Sequence, residues 1–201
     1  MTLEPDDIVW AFDGRVGRDG GLGAMIGFYV SGLRELLPSG VDSDDPFEQI
    51  VAELSDDPTN RMLSNPRLSR LFPPALANET QADEFWRDSI HNQTRARIAA
   101  ADAVMADLGA FDGFVPVRLS VVDDWARTLG ALRLFWYAEV AGPERLAEPE
   151  AEVIESNPGL AELVEWLGYL LEDLLESRGM CLATGQSLDP DQFTASGRGL
   201  G

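Results

Sequence analysis

The segment PGLAELVEWLGYLLEDLLES, residues 158–177, decides the fold class. Leu160, Leu163, Val164, Leu167, Leu170, Leu171, Leu174 and Leu175 recur at helical spacing and make one broad apolar face. Glu162, Glu165, Glu172, Asp173 and Glu176 lie mostly elsewhere on the surface. A run this long with that period reads as an amphipathic helix, here placed at 159–177. The Leu face is wide enough to serve a core or a homodimer contact.

Working outward, the same period recurs in three further stretches. Leu22, Ile26, Tyr29, Val30, Leu33, Leu36 and Leu37 predict a helix over 22–37, closed by Pro38-Ser39-Gly40. Its glycines cost up to ~1 kcal/mol each in a helix interior, so packing must offset them. Ile90, Thr94, Ile98, Ala101, Met105 and Leu108 predict the longest helix, near 82–108, with Phe85 and Trp86 as anchors. Trp125, Leu129, Leu132, Trp136 and Val140 predict a fourth over 121–141, stopped by Gly142-Pro143. Phe47, Ile50, Val51 and Leu54 suggest a short helix after Pro46. Residues 55–82 carry four prolines and read as a loop with short helical turns. Leu63, Leu68, Leu71 and Phe72 would pin it to the core.

Two stretches break the helical period. Residues 8–16 alternate around Asp13-Gly14, a dipeptide that tolerates tight turns, and read as a short hairpin. Residues 115–119 look extended, and Pro116 fits an edge position. The expected architecture is mainly α. A bundle of about four main helices carries a small antiparallel β element, the N-terminal hairpin plus the strand near 115–119. One helical domain is expected over 1–178. A loosely ordered tail is expected over 179–201, where Gly, Ser, Asp and Pro dominate.

Composition narrows the function classes. The 201 residues hold 15 Arg and no Lys, 35 Asp+Glu, one His and one Cys, for a formal net charge of -20. That charge opposes non-specific contact with nucleic acid, because phosphates repel it. No P-loop can form without Lys, and no HExxH with one His. A lone Cys181 makes no intramolecular disulfide, and Cys181 with His91 falls short of a zinc ligand set. No cofactor or metal is expected. No apolar run reaches the length of a membrane span. The acidic N-terminus lacks the apolar core of a secretory leader. A cytoplasmic, non-membrane protein is the expectation.

Candidate chemistry is sparse. His91 reads as a surface or helix-packing residue. The paired carboxylates, including Asp56-Asp57 and Asp123-Asp124, read as solvated surface or caps. The five tryptophans fall on apolar stripes and read as core. Arg133 interrupts the run 131–136 and is expected to pair with a buried carboxylate or cap loop carbonyls. Together with Asp123 or Asp124 it is the best available start for an enzyme site. Cys181 is placed just beyond the last helix and reads as an inert thiol, with a regulatory thiol as the alternative.

Three stretches together carry a family likeness. They are Arg70-Leu71-Phe72-Pro73-Pro74-Ala75-Leu76 followed by Glu84-Phe85-Trp86-Arg87; Val117-Arg118-Leu119 followed by Trp125 to Leu134, including Arg133; and Glu165-Trp166-Leu167-Gly168-Tyr169 to Leu175. Over roughly residues 8–178 the chain resembles an actinobacterial family known as a domain of unknown function, often encoded beside ClpS. One branch is the oxidative-stress transcriptional regulator AosR. The resemblance implies a non-enzymatic regulatory protein. It would act through a protein partner, a sigma factor or other transcription component. The gene neighbourhood offers the alternative of a Clp adaptor, and an undetected enzyme is the third class. Arg70, Phe72, Pro73, Trp125, Arg133 and Trp166 are the family signature, mostly structural. The regulator's switch needs two cysteines in one chain. With Cys181 alone, an intramolecular thiol switch does not carry over.

Overall fold

The computed structural model describes residues 2–14, 21–38, 45, 47–48, 51, 55–72, 79–111, 113–142, 149 and 151–189, with the side chains of 79–88 left aside. Among them the elements run β1 (Ile8–Asp13), α1 (Leu22–Arg34), α2 (Thr59–Leu63), α3 (Pro66–Leu71), α4 (Glu79–Ala110), β2 (Phe114–Arg118), α5 (Val122–Ala141), α6 (Ala151–Ser156) and α7 (Pro158–Thr184). The fold is mainly α with a two-stranded antiparallel sheet. No helix among the described residues is long and apolar enough to cross a membrane.

The sheet follows from the alternation in both strands. β1 pairs antiparallel with β2 from Ile8↔Arg118 to Asp13↔Phe114, and Pro116 sits opposite Ala11. A register shift between Ile8 and Trp10 leaves Val9 as an extra residue. Such a bulge turns consecutive side chains to one face, and Val9 and Trp10 are both buried. Residues 15 and 16, where a second hairpin arm is expected, lie outside the described residues.

The helix stripes are buried with instructive exceptions. Leu22, Ile26, Tyr29 and Leu33 of α1 are fully buried. In α4, Ile90, Thr94, Ala101 and Val104 are buried while Met105 is exposed. Val104, one residue earlier on the helix, thus takes the core position expected of Met105. In α5, Phe135 is buried and Trp136 is half-buried, the reverse of the expected order. Leu63 is exposed and its neighbour Met62 takes the core position. In α7, Val164, Leu167, Leu170 and Leu174 are buried and Leu175 is exposed, so the buried face is narrower than the Leu run.

Local sequence sets the ends. The Asn65 side chain accepts from the N–H groups of Arg67 and Leu68, with Pro66 at the first helical position of α3. α7 does not stop near Ser177 as expected. It passes Gly179 and ends at Thr184, so Cys181 stands on the helix rather than beyond it, and residues 179–184 are helical rather than tail. The true stop is Gly185 at φ 65°, whose N–H donates to the Cys181 carbonyl at 2.8 Å. Leu188 N–H then donates to the Ile8 carbonyl at 2.8 Å, tying the following residues to β1. Residues 190–201 lie outside the described residues, as does most of the short helix expected after Pro46.

The chain divides into two compact units. The first comprises Met1–Gly27, Ala100–Leu132 and Glu165–Gly201. It holds both strands and the core residues Val9, Trp10, Phe12, Val115, Val117, Trp125, Leu129, Leu167 and Leu174. The second comprises Phe28–Ala99 and Arg133–Val164. Its core includes Tyr29, Leu33, Leu36, Met62, Leu68, Leu71, Phe72, Ile90 and Phe135.

Candidate functional site

The first unit carries a cleft of about 310 Å³, lined by Trp10, Ala11, Phe12, Asp13, Phe114, Trp166, Tyr169, Leu170 and Asp173. Two strands and one helix build it. β1 and β2 end together at Asp13↔Phe114, which brings those side chains to its rim. On α7 the cleft residues fall at 166, 169, 170 and 173, the three- and four-residue steps that share a helix face.

The aromatic wall is held rigidly from behind. Trp10 Nε1 donates to Asp173 Oδ2 at 2.7 Å across 163 residues of sequence. The Trp10 ring meets Trp125 edge-on at 5.6 Å and Phe12 at 6.0 Å between centroids. Trp125 is itself fixed by Nε1 donating to Asp107 Oδ2 at 2.8 Å. Ser177 Oγ donates to the Val9 carbonyl at 2.7 Å and holds the bulge against α7. Tyr169, by contrast, is 64% exposed at the mouth.

The lining offers aromatic faces and two carboxylates. Among the described residues, no Ser, Thr, Cys, His or Arg belongs to it. Ring faces with carboxylates attract cations and hold them in place. Among the described residues, no group of three or more His, Cys, Asp and Glu side chains could hold a metal.

Of the residues singled out in sequence, Trp166 lines this cleft and Trp125 buttresses it. Cys181 belongs to the same unit. It is 4% exposed, with Sγ 3.9 Å from the Val9 carbonyl, and burial pushes its thiol pKa up. A protonated, buried thiol is a poor nucleophile. Arg70, Phe72, His91 and Arg133 lie in the second unit. Arg70 is buried, donates from Nη1 to the Gly142 carbonyl at 2.7 Å and stacks on Tyr137 at 4.5 Å. Burial lowers its pKa. Phe72 is buried under the Arg97 guanidinium at 5.3 Å. Pro73 lies outside the described residues.

Arg133 is not the buried ion-pair partner expected. It is exposed, because its position on α5 points away from the Leu129, Leu132 and Phe135 stripe. Asp123 and Asp124 are engaged elsewhere, by Arg178 at 2.8 Å and Arg127 at 3.2 Å. His91, expected at the surface or in helix packing, is buried, with Nε2 3.2 Å from Asp56 Oδ2. Asp56 also takes both terminal nitrogens of Arg61. That fork, then the His91 contact, holds the Asp56 carboxyl below its usual pKa against the opposing effect of burial. One carboxylate is thus shared by two partners, a structural clamp between α2 and α4.

Sequence reasoning missed Asp173 and Tyr169 as site residues. Asp173 read as one more solvated carboxylate on a helix rich in them. The available signal was the row Trp166, Tyr169 and Asp173 at steps of three and four, an aromatic and acidic stripe beside the Leu face.

No curated protein and no solved structure matches the chain. One family model does, across most of its length and over all the elements from the end of β1 to the body of α7. With residues 13–177 matched, the chain belongs to the DUF2017 family, a domain of unknown function.

Proposed function

We propose that the chain is a non-enzymatic regulatory protein that works by binding a basic segment of a protein partner. The observation that carries this reading is the cleft, whose described lining supplies aromatic faces and carboxylates. The net charge of -20 favours the same class of partner, since acidic surfaces speed and orient encounters with basic ones. The resemblance to the oxidative-stress regulator AosR points to a transcription component, such as a sigma factor, as that partner. Any response to oxidation would then belong to the partner, because the one thiol here is buried.

Affinity capture from the cells that make this protein, with and without peroxide, tests the reading by mass spectrometry. Recovery of a sigma factor or RNA polymerase supports it. Recovery of Clp subunits alone replaces it with an adaptor role in proteolysis. Recovery of no specific protein in either condition overturns it.

A further inference from the structure

The second unit holds two buried hydroxyls without partners beside a cation without a counter-charge. Tyr29 and Thr94 are fully buried, and neither the Tyr29 hydroxyl nor Thr94 Oγ1 has a hydrogen-bond partner. A buried hydroxyl left unpaired is costly, and in a native fold it asks for a reason. Arg97 is half-buried. Arg61, Arg67, Arg127 and Arg178 each pair with a carboxylate. Among the described residues, no carboxylate pairs with Arg97; it donates from Nη2 to the Leu71 carbonyl at 3.0 Å and packs 5.3 Å from the Phe72 ring centroid.

The three groups belong to one neighbourhood. Thr94 and Arg97 stand three residues apart on α4 and share a face. Helical side chains lean over the preceding turn, which directs Arg97 back toward Thr94. Tyr29, on α1, feels the Arg97 guanidinium: burial pushes its phenol pKa up, and Arg97 opposes that rise. The phenol therefore keeps its proton at neutral pH and can donate it.

We propose that Tyr29, Thr94 and Arg97 form a binding site for an oxyanion group, the carboxylate or phosphate of a small ligand. The site is independent of the partner reading. Arg97 supplies the charge. One of its five N–H groups goes to Leu71, and the Leu71 bond and the Phe72 ring fix the plane of the rest. Such pre-ordering lowers the cost of binding. The two hydroxyls add short, directional donors in a region of low dielectric, where each counts for more than in water. Asp56 meets the same helix at His91, but Arg61 and His91 already hold its charge, so it opposes an entering anion less.

The test is titration of the full chain with sodium phosphate and, separately, sodium acetate, followed by thermal melting. Sodium chloride at equal ionic strength is the reference, because screening alone acts on a net charge of -20. A saturable rise in Tm above the chloride reference supports the site. A rise with phosphate only, or with acetate only, names the group it takes. Arg97→Gln should weaken binding by about tenfold or more, the loss of a charge-assisted contact. Tyr29→Phe and Thr94→Val should each weaken it severalfold. Without added anion both should be at least as stable as wild type, because each deletes a hydroxyl that has no partner. These two variants keep the test informative if Arg97→Gln fails to fold. Arg133→Gln makes the same charge change at an exposed position of the same unit and should leave binding unchanged. No saturable rise with either anion overturns the assignment, as does equal loss with Arg133→Gln and Arg97→Gln. A lower anion-free Tm in both hydroxyl variants, with anion binding intact, would assign the hydroxyls to an internal water and overturn it too.

Discussion

At Cys181 the folded chain disfavours the thiolate that redox chemistry needs, because burial pushes the thiol pKa up. The native protein should therefore react with an aromatic disulfide reagent at least ~10-fold slower than the urea-unfolded chain. Equal rates would restore a regulatory thiol. Asp56 makes the opposite use of charge. Its folded pKa is lowered, chiefly by Arg61 and also by His91. The stabilisation is complete above its unfolded value, about 3.9, and is lost as pH falls through the lower folded value. Wild type should exceed Asp56→Asn in stability at pH 6, and the gap should close as pH drops below about 4. Urea melts at pH 6 and pH 3 measure it, and a gap that stays constant would show that the paired charge is not its source. Neither environment was legible in sequence. Burial of Cys181 depends on a helix continuing through Gly179, and Asp56 meets His91 across 35 residues.

Elements were far easier to read than their contacts. α1, α5 and α7 announce themselves by period, and the β1–β2 pairing by alternation and an edge-tolerant Pro116. Ends were less legible, because a glycine can stop a helix or merely weaken it. Gly179 and Gly185 look alike in sequence, and only the second adopts positive φ. Asn65 is a cap whose loss should cost about 0.5–2 kcal/mol, read as a lower denaturation midpoint for Asn65→Ala. Gly14 has no room for a side chain, since a Cβ would lie 2.5 Å from the Gly113 carbonyl oxygen. Its own N–H donates to that same oxygen at 2.8 Å, so the backbones cannot part without losing the bond. Gly14→Ala should destabilise the sheet end and lower Tm, whereas Gly27→Ala, in open space on α1, should be neutral or stabilising. Equal effects in thermal melts would refute that distinction.

For the whole molecule, the property that composition alone reveals most plainly is charge. At -20 the folded chain repels itself, and screening should relieve it. The Debye length falls from about 30 Å at 0.01 M salt to about 10 Å at 0.1 M. Tm should rise by several degrees over that range, and a flat or falling Tm would argue against net repulsion. The mainly α architecture was legible because helix periods are local. The cleft was not, because its walls come from residues 10–13, 114 and 166–173. That separation has a consequence in time. Trp10 is bonded to Asp173, Val9 to Ser177 and Ile8 to Leu188, so β1 is completed by a helix and turn that are made long after it. A growing chain on the ribosome must hold Val9, Trp10 and Phe12 without these partners until α7 has been made. Those apolar residues are then open to chaperones, and a chain cut short before α7 would leave β1 without its cover.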